Sequence, residues 1–412
     1  MFSLVRSCVI ALTAVAVAIP AIGAAQDLTS PDAFSAVAVA GVSFASGETS
    51  WTKGGLGKFQ TGAGAGVIDG SAIVVWRPSL SSRLALQVSA DAQSLAQHAV
   101  GVDEAYLVLR PDPLSAVRIS GRAGLFFPPV SLEHDGSEWS LERTLTPSAI
   151  DTWIAEEVKV AGTEVTLRTT LAGHSTGITL AAFQGDDTSG ALLYFRGWTF
   201  DDLRANLGGD FRLPPLPGLF VGKQAQDTQS IDDVDGRWGA YGRIDYALSQ
   251  TLSVNLFAYD NNGSRTKVVD GQYAWGTRFV QAAARWTPAD SVEVLAQAMT
   301  GETEMGKPLN GQFPADIGFA AGYVLVTDTL PNGSASLRLE QFSIADHTFK
   351  TLYNSAESGW AATAAWTQPL SRRTEVVLEG VFERSDRPDR IRFGMSPLQT
   401  SVQGRTAIRA AF

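Results

Sequence analysis

Cysteine is almost absent from this chain of 412 residues, whose only one is Cys8. Cys8 begins an uncharged, largely apolar run that ends at Ile19; Arg6 precedes the run and Gly23-Ala24-Ala25 follows it. A basic start, an apolar stretch and small residues in this order are typical of a secretory signal peptide. The run is also shorter than the roughly 20 residues that a membrane-anchoring helix needs. We therefore predict a signal peptide over residues 1–25 and a mature chain without disulfides.

Long apolar runs, linkers and an excess of positive charge are missing as well. After residue 25, no stretch is apolar for long enough to form a transmembrane helix. No Pro- or Ser-rich segment and no shift in composition divides the chain, so we predict one domain over residues 26–412. The formal net charge of −10 at pH 7 argues against a nucleic-acid partner, because proteins that bind nucleic acids carry basic patches.

Histidine is scarce, and the arrangement of the four present gives no catalytic or metal-binding motif. They are His98, His134, His174 and His347, and none is spaced from another His as metal ligands are. The Gly-rich segment Gly62–Gly66 precedes a strand-like stretch rather than the helix that a phosphate cradle needs. We therefore predict no catalytic residue, no metal and no cofactor. A Ser–His–carboxylate group assembled from distant strands stays open, and with it a barrel hydrolase that acts on lipids or envelope polymers.

What the chain does contain, from residue 34 to residue 412, is a repeated alternation of apolar and polar residues. In the run from residue 237 to residue 248, one set of alternate positions is Trp238, Ala240, Gly242, Ile244, Tyr246 and Leu248, and the other is Arg237, Gly239, Tyr241, Arg243 and Asp245. The last run, Val402–Phe412, shows the same pattern. A period of two places the two sets on opposite faces of a β-strand. The chain is therefore predicted to be all-β.

The alternating runs favour a transmembrane barrel over a soluble, secreted β-protein, the alternative that membrane fractionation would separate. Many apolar faces are too light to fill a soluble core, for example Trp360, Ala362, Ala364 and Trp366. Aromatic residues also mark strand ends, as at a membrane interface, for instance Trp76, Trp286, Trp366 and Tyr246. Short turns such as Pro78–Ser82 alternate with longer polar loops such as Asp260–Gly271. This combination is typical of bacterial outer-membrane barrels, whose apolar face contacts lipid and whose polar face lines a water-filled lumen.

The number of strands depends on one weak stretch. Counting Phe34–Ser46 as the first strand gives about 18, but the pattern is interrupted between Arg196 and Gln226, where three prolines fall within Leu213–Gly218. Without a strand pair there, 16 remain, and either even number closes a barrel wide enough for water. Phe412 ends the last amphipathic strand and resembles the terminal signal that the bacterial barrel-insertion machinery recognises. That machinery is therefore a predicted partner.

The longest interruption of the pattern runs from Pro128 to Gly162 and is rich in acidic residues. Within it, Thr146 and Pro147 predict a helix start, with Thr146 as the cap and Pro147 in the first turn. We predict that this loop folds into the lumen and sets the constriction; the alternative is that it packs over the outer mouth. The predicted pore-lining and constriction residues are Arg118, Arg122, Arg168, Arg243, Arg405, Arg409, Glu133, Asp135, Glu138 and Glu142.

Some of these charges are also expected to pair within the wall. Glu375 and Glu379 lie on the strand before the last, and Arg405 and Arg409 lie on the last strand. Cross-strand pairs of opposite charge stabilise a sheet. The positive and negative residues of the predicted lumen are nearly balanced, so their sum does not favour ions of one sign.

The segment Gly121-Arg122-Ala123-Gly124-Leu125-Phe126-Phe127-Pro128-Pro129, followed by the pair Glu142-Arg143, resembles the phosphate- and polyphosphate-selective (O/P) porins. The stretches Phe195–Trp198 and Val234–Arg237 add to the resemblance. It implies a trimeric, 16-stranded barrel whose third loop narrows the pore. That family's anion preference rests on Arg ladders and clustered lysines, and no such lysine cluster can be matched in this chain. Its phosphate selectivity is therefore not carried over.

Together these observations predict an outer-membrane β-barrel of 16 to 18 strands in a Gram-negative bacterium. It would be a homotrimer, contact outer-membrane lipid, and let small polar or ionic solutes diffuse passively through a water-filled lumen. The first alternative is a substrate-selective anion channel, which requires inward-facing arginines without acidic partners. The second is the barrel hydrolase named above.

Overall fold

The computed structural model describes Leu28 and residues 30–348 and 353–412. The predicted signal peptide, residues 1–25, lies outside the described residues. Among the described helices, none has the length and apolar character that a bilayer-spanning helix requires.

Sixteen antiparallel strands form a closed barrel in which each strand pairs with the next and the last pairs with the first. In chain order they are β1 (Phe34–Ala45), β2 (Gly64–Trp76), β3 (Leu84–Gln93), β4 (Val100–Leu109), β5 (Arg118–Phe126), β6 (Val160–Leu171), β7 (His174–Gln184), β8 (Gly239–Ala247), β9 (Leu252–Asp260), β10 (Gly276–Ala289), β11 (Val292–Met305), β12 (Ala315–Leu330), β13 (Gly333–Asp346), β14 (Glu357–Pro369), β15 (Thr374–Asp386) and β16 (Leu398–Ala411). The all-β barrel prediction is confirmed with the lower strand count, because the proline-rich stretch between Arg196 and Gln226 contributes no barrel strand.

The barrel closes through β1 and β16, which are paired from Val37 with Ala411 to Ala45 with Gln403. Along β16, the apolar positions are exposed and the polar positions between them are buried: Val402 is 48% exposed and Gln403 1%. In a closed barrel the exposed apolar set faces outward. We call the alternate set inward-facing.

The strand connections differ in length on the two ends of the barrel. Short turns such as residues 172–173 and 331–332 join strands at one end. At the other end lie loop 1 (46–63), loop 2 (94–99), loop 3 (127–159) and loop 4 (185–238), followed by four further loops. Outer-membrane barrels place short turns on the periplasmic side. The end with the short turns is accordingly called the periplasmic end.

The long loops carry their own short elements. Helix α1 (Ala149–Ile154) lies in loop 3 and helix α2 (Ser189–Arg196) in loop 4. The remaining elements are two-residue hairpins, Phe211–Arg212 with Asp227–Thr228 and Val268–Val269 with Gln272–Tyr273, and 3-10 turns at Pro31–Ala33, Trp51–Lys53, Ser137–Trp139 and Pro388–Phe393.

The helix predicted in loop 3 exists, but its predicted start was wrong. Ser148 is the N-cap, and its Oγ accepts a hydrogen bond from the backbone N of Asp151 at 3.3 Å. Pro147 therefore precedes the cap instead of lying in the first turn. The Thr146 hydroxyl is engaged elsewhere, because it donates to Glu379 Oε1 at 2.7 Å. Ser148 therefore starts the helix, while Thr146 contacts a wall carboxylate of a distant strand.

Loops 3 and 4 also build an apolar core against inward-facing aromatic residues of the wall. Trp153 of α1 packs edge-on against Phe319 of β12, with ring centroids 5.0 Å apart. Trp198, just after α2, lies 6.5 Å from Phe342 of β13. All four side chains belong to one large cluster of buried hydrophobic residues. Part of the barrel interior is therefore packed with apolar side chains, a feature that the prediction of a polar, water-filled lumen did not include.

Candidate functional site

The residues that connect loop 3 to the wall are inward-facing arginines and carboxylates. They occupy alternate strand positions, so each side chain leaves the wall on the same side as its neighbours two residues away. The inward-facing strand arginines are Arg118, Arg122, Arg168, Arg243, Arg285, Arg338, Arg405 and Arg409.

Arg338 of β13 is completely buried under the residues before α1. Its guanidinium donates to Glu133 Oε1 at 2.7 Å and to Glu340 Oε1 at 2.9 Å. It also donates to the backbone carbonyls of Thr146 and Pro147, each at 2.9 Å. Because a buried cation needs acidic partners and acceptors for its remaining N–H groups, this arrangement fixes the start of α1 on β13.

Two further wall residues hold the same stretch. Glu379 of β15 accepts the backbone N–H groups of Leu145 at 2.6 Å and Thr146 at 3.1 Å. Arg405 of β16 donates to the carbonyl of Leu145 at 2.9 Å and pairs with Asp69 at 2.8 Å. The expected ion pair between Glu379 and Arg405 is therefore wrong as a pairing, although the two residues are cross-strand neighbours. Glu379 contacts loop 3 instead, and Arg405 contacts both loop 3 and Asp69 of β2.

Arg409, one step nearer the periplasmic end, repeats the pattern. Its guanidinium donates to the carbonyls of Glu142 at 2.9 Å and Thr144 at 2.7 Å. It also forms the predicted cross-strand ion pair with Glu375, at 2.7 Å. The side chain of Glu142 is exposed, so this residue takes part in the contact through its backbone carbonyl.

The beginning of loop 3 is held by β5, β8 and β10. Arg122 forms a two-pronged pair with Glu164, at 3.0 Å for each contact, and donates to the carbonyl of Phe127 at 2.8 Å. Arg243 donates to the carbonyl of Pro129 and pairs with Asp245 at 2.6 Å. Gln281 Nε2 of β10 donates to the carbonyl of Val130, the next residue of loop 3, at 2.6 Å. Strands from different parts of the barrel wall thus contact loop 3 along its length.

The middle of loop 3 contributes its own charges. Asp135 accepts two hydrogen bonds from Arg143, at 2.7 and 3.0 Å, and a third from Arg285 of β10. Arg143 also contacts Glu293 of β11, at 2.6 Å. Burial alone would raise the pKa of Asp135, but the hydrogen bonds and charges of Arg143 and Arg285 outweigh it and hold that pKa below its usual range. Asp135 is therefore ionised at neutral pH.

The structure divides the predicted site residues into two groups. Arg122, Arg243, Arg405, Arg409, Glu133, Asp135 and the backbone of Glu142 all belong to the contacts just described. Glu138 accepts from Ser35 Oγ at 2.5 Å and lies 3.4 Å from Arg77. Arg118 and Arg168 are separate from the loop 3 contacts: they lie at the periplasmic ends of β5 and β6, directly opposite each other, and both are exposed.

Sequence reasoning missed a Ser–His–Glu chain within loop 3. Ser131 Oγ lies 3.0 Å from His134 Nδ1, and His134 Nε2 lies 2.9 Å from Glu156 Oε1. The spacing of Ser131 and His134 is visible in the sequence, but the position of Glu156 depends on the fold. Burial, and then Arg204, hold the pKa of His134 well below its usual value.

That chain does not have the properties of a nucleophile and its base. Ser131 Oγ accepts the backbone N–H groups of Glu133 at 2.9 Å and His134 at 3.0 Å, as in a turn. His134 is buried and stacks on Trp139 with ring centroids 5.5 Å apart. A histidine with a strongly lowered pKa accepts a proton poorly near neutral pH. The hydrogen bonds that join Ser131, His134 and Glu156 are best explained as part of the structure of loop 3.

A second group of buried charges holds loops 1 and 4 on the wall. Lys58 of loop 1 forms an ion pair with Glu357 of β14 and donates to the carbonyl of Trp198 at 2.8 Å. Arg387 also contacts Glu357, at 3.2 Å. Burial lowers the pKa of Lys58, although Glu357 acts in the opposite direction. No sequence pattern indicates this group, because its members are far apart in the chain.

One acidic group could offer ligands to a cation. Carboxylate oxygens of Asp187, Asp233 and Asp235 lie within 4.8 Å of one another at the two ends of loop 4. Asp187 accepts the backbone N–H groups of Val234 at 2.7 Å and Asp235 at 3.1 Å. Burial, together with the charge of Asp235, raises the pKa of Asp187 to about 8. These hydrogen bonds account for the geometry of the group without a bound ion.

Comparison with known proteins gives a likeness in fold. No protein-family model and no curated protein sequence matches the chain. Among solved structures, the outer membrane channel DcaP of Acinetobacter baumannii is similar with a TM-score of 0.55 and 13% identity, over 92% of this chain and 96% of that one. A loop L8 deletion mutant of OmpT, an outer membrane protein of Vibrio cholerae, has a TM-score of 0.52 and 10% identity, over 92% and 98%. OmpF of Salmonella typhi, in complex with daunomycin, has a TM-score of 0.50 and 11% identity, over 92% and 97%. The chain therefore has the barrel fold that these outer-membrane proteins share.

Proposed function

We propose that this protein is an outer-membrane porin through which small polar or ionic solutes diffuse passively. The observation that carries the proposal is the closed sixteen-stranded barrel whose exposed face is apolar and whose inward face carries charged side chains. An apolar outer band suits lipid, and a polar inner face suits a hydrated path. The similarity in fold to an outer membrane channel and to OmpF supports the same function and the same location, the outer membrane of a Gram-negative bacterium.

Loop 3 lies inside the lumen in this proposal and narrows the path. Its backbone is hydrogen-bonded by inward-facing side chains of β5, β8, β10, β13, β15 and β16, a set that alternates with the outward-facing residues. A loop that packed over the outer mouth would contact strand ends rather than positions along the strands. Because loops 3 and 4 also fill part of the interior with apolar side chains, we expect a small conductance.

The remaining elements of the proposal concern export and assembly. Residues 1–25 act as the signal peptide, and Phe412 is recognised by the barrel-insertion machinery. Phe412 is 67% exposed, and its backbone N donates to the carbonyl of Ala36 at 2.9 Å, so its ring is accessible beside the closing strand pair. Three copies associate through their outer faces, as the resemblance to the O/P porins implies; native electrophoresis of the detergent-extracted protein tests this.

Single-channel recording in planar bilayers tests the function. Discrete current steps proportional to voltage are expected from the purified, folded barrel. A cysteine at Ser120, which is inward-facing on β5, should let a bulky thiol reagent reduce the steps. A cysteine at Arg384, on the outward-facing set of β15, is the matched control and should leave the current unchanged. An inserted, folded barrel that gives no current would overturn the proposal.

A further inference from the structure

We propose that Arg118 and Arg168 together form a binding site for small oxyanions, the carboxylate or phosphate groups of permeating solutes, near the periplasmic end of the lumen. The inference rests on the proposed function, because it names the class of solute that such a pore would favour. It is carried by a contrast among the inward-facing arginines of the wall.

Within the described part of the chain, every other inward-facing strand arginine lies within ion-pair distance of a carboxylate. The pairs are Arg122 with Glu164, Arg243 with Asp245, Arg285 with Glu293, Arg338 with Glu340, Arg405 with Asp69, and Arg409 with Glu375. Among the same residues, neither Arg118 nor Arg168 has a carboxylate within 4.0 Å or a hydrogen-bond acceptor for its guanidinium. Their positive charges are thus left for solvent or for a mobile anion.

The two arginines also leave the wall from directly neighbouring positions. Arg118 and Arg168 are directly paired in the register of β5 and β6, a relation that places their Cβ atoms about 5 Å apart. Like charges in this relation destabilise a sheet, and an anion between them removes the repulsion. Both side chains are exposed, so an anion can reach them from the water at the periplasmic end.

The neighbouring groups leave the pair without an internal counter-ion. Gly177 of β7 lies beside Arg168 in the register and has no side chain. On the next strand, Asp245 is within reach of a side chain placed at Gly177, but Arg243 already engages it at 2.6 and 2.9 Å. Glu164, further along β6, is held by Arg122 and by the hydroxyl of Tyr241 at 2.5 Å. Each of these two carboxylates therefore already has another arginine as its ion-pair partner.

The chemistry of guanidinium selects the kind of anion. Each guanidinium presents parallel N–H donors that match the two oxygens of a carboxylate or phosphate, whereas a spherical chloride ion gains less from this geometry. Solvent exposure weakens the interaction, and a permeation site must release its ion as well as bind it. A weak oxyanion site is therefore compatible with permeation, because the anion can leave it again.

The test uses the chloride current through the folded full-length barrel, with inorganic phosphate and acetate as separate competing anions. We expect each anion to reduce the chloride current of the native protein. In the double variant Arg118→Gln/Arg168→Gln, the concentration needed for half reduction should rise about tenfold, because two charge-assisted donors are lost. The reversal potential in a KCl gradient should shift toward cation preference in the same variant.

The control variant is Arg372→Gln/Arg373→Gln, which removes the same charge from exposed arginines of the turn between β14 and β15. It should change the half-reducing concentration less than twofold. The variant Arg118→Lys/Arg168→Lys keeps the charge but loses the paired donors. Its reversal potential should therefore be close to that of the native protein, whereas phosphate and acetate should reduce its chloride current less than they reduce the native current.

Four results would be decisive. If the two glutamine variants weaken the oxyanion effect equally, general charge at the mouth explains it and the site is overturned. If phosphate and acetate have no effect on the native current, the site is overturned while the porin function stands. If only one of the two anions acts, the site is retained and narrowed to phosphate or to carboxylate. A folded barrel without current would instead refute the proposed function itself.

Discussion

On the wall formed by β13, β15 and β16, loop 3 covers the inward-facing arginines, whereas at the periplasmic ends of β5 and β6 nothing in the described chain covers Arg118 and Arg168. Arg338 is completely buried, with two carboxylates and two backbone carbonyls as partners. Arg118 and Arg168 occupy equivalent alternate positions but are exposed and face each other.

The comparison teaches that an inward-facing arginine has no fixed role. Where a loop packs over such an arginine, its N–H groups donate to backbone carbonyls and acidic neighbours compensate its charge. The arginine then stabilises the position of the loop. Where no loop packs over it, its charge is exposed to the solution. The arginine then affects the electrostatic potential that a permeating ion experiences. The first prediction changes a covered arginine, and the others change residues that hold loop 3 or the carboxylates around the covered arginines. The exposed pair serves as the reference.

Replacing Arg338 with leucine should have the largest effect. Removal of one partner from a buried ion pair typically costs about 3–5 kcal/mol, and here Glu133 and Glu340 would both be left buried without their cation. We expect a matching loss of unfolding free energy in urea, followed by electrophoretic mobility. Arg168→Leu is the reference, and an equal loss in both variants would show that burial under loop 3 does not distinguish the two groups.

Replacing Glu379 with alanine should release loop 3 without unfolding the wall. The backbone N–H groups of Leu145 and Thr146 lose their acceptor, and a buried donor left unsatisfied costs about 1–3 kcal/mol. The single-channel current should become larger and noisier, because the stretch before α1 is no longer held on β15. Glu379→Gln keeps an acceptor oxygen and should behave more like the native protein; identical quiet currents in all three proteins would contradict this account.

The contacts of Asp135 should give loop 3 a defined dependence on pH. Because the folded-state pKa of Asp135 lies below its usual value, its contribution to stability is present above the unfolded pKa of about 4 and is lost as the pH falls through the folded value. Asp135→Asn should therefore be less stable than the native protein at pH 7, and the difference should shrink as the solution is acidified. A difference in unfolding midpoint that stays constant from pH 7 to pH 3 would argue against the ionised contact with Arg143 and Arg285.

The smallest effect is expected from Tyr241→Phe. The hydroxyl of Tyr241 donates to Glu164, but that carboxylate keeps both contacts with Arg122. Loss of one hydrogen bond of this kind costs about 0.5–1.5 kcal/mol. The urea midpoint should fall slightly while oxyanion sensitivity at Arg118 and Arg168 stays native. A change in that sensitivity would mean that Glu164 influences the exposed pair.

Much of the fold was predictable because it is written in a local pattern. The alternation in Val402–Phe412 identified β16 and its two faces, and the prolines of Leu213–Gly218 marked a stretch that forms no barrel strand. The helix in loop 3 was predicted as well, but its cap was placed on Thr146 instead of Ser148. The sequence pattern offers both Thr146 and Ser148 as caps, and the contact of Thr146 with Glu379, on a strand more than 200 residues away along the chain, is not visible in it.

By itself, the sequence determined the barrel: the period of two, the light apolar faces and the alternation of short turns with long loops follow from neighbouring residues and backbone geometry. The same alternation put Arg118, Arg122, Arg168, Arg243, Arg405 and Arg409 on the predicted inner face, but it did not identify Arg285. Only the tertiary structure decided which of them have acidic partners and which do not, because that depends on where loop 3 and the neighbouring strands contact them. Contacts between Arg338 and Glu133, or their absence at Arg118 and Arg168, are set by residues distant in the chain, and no local pattern encodes them.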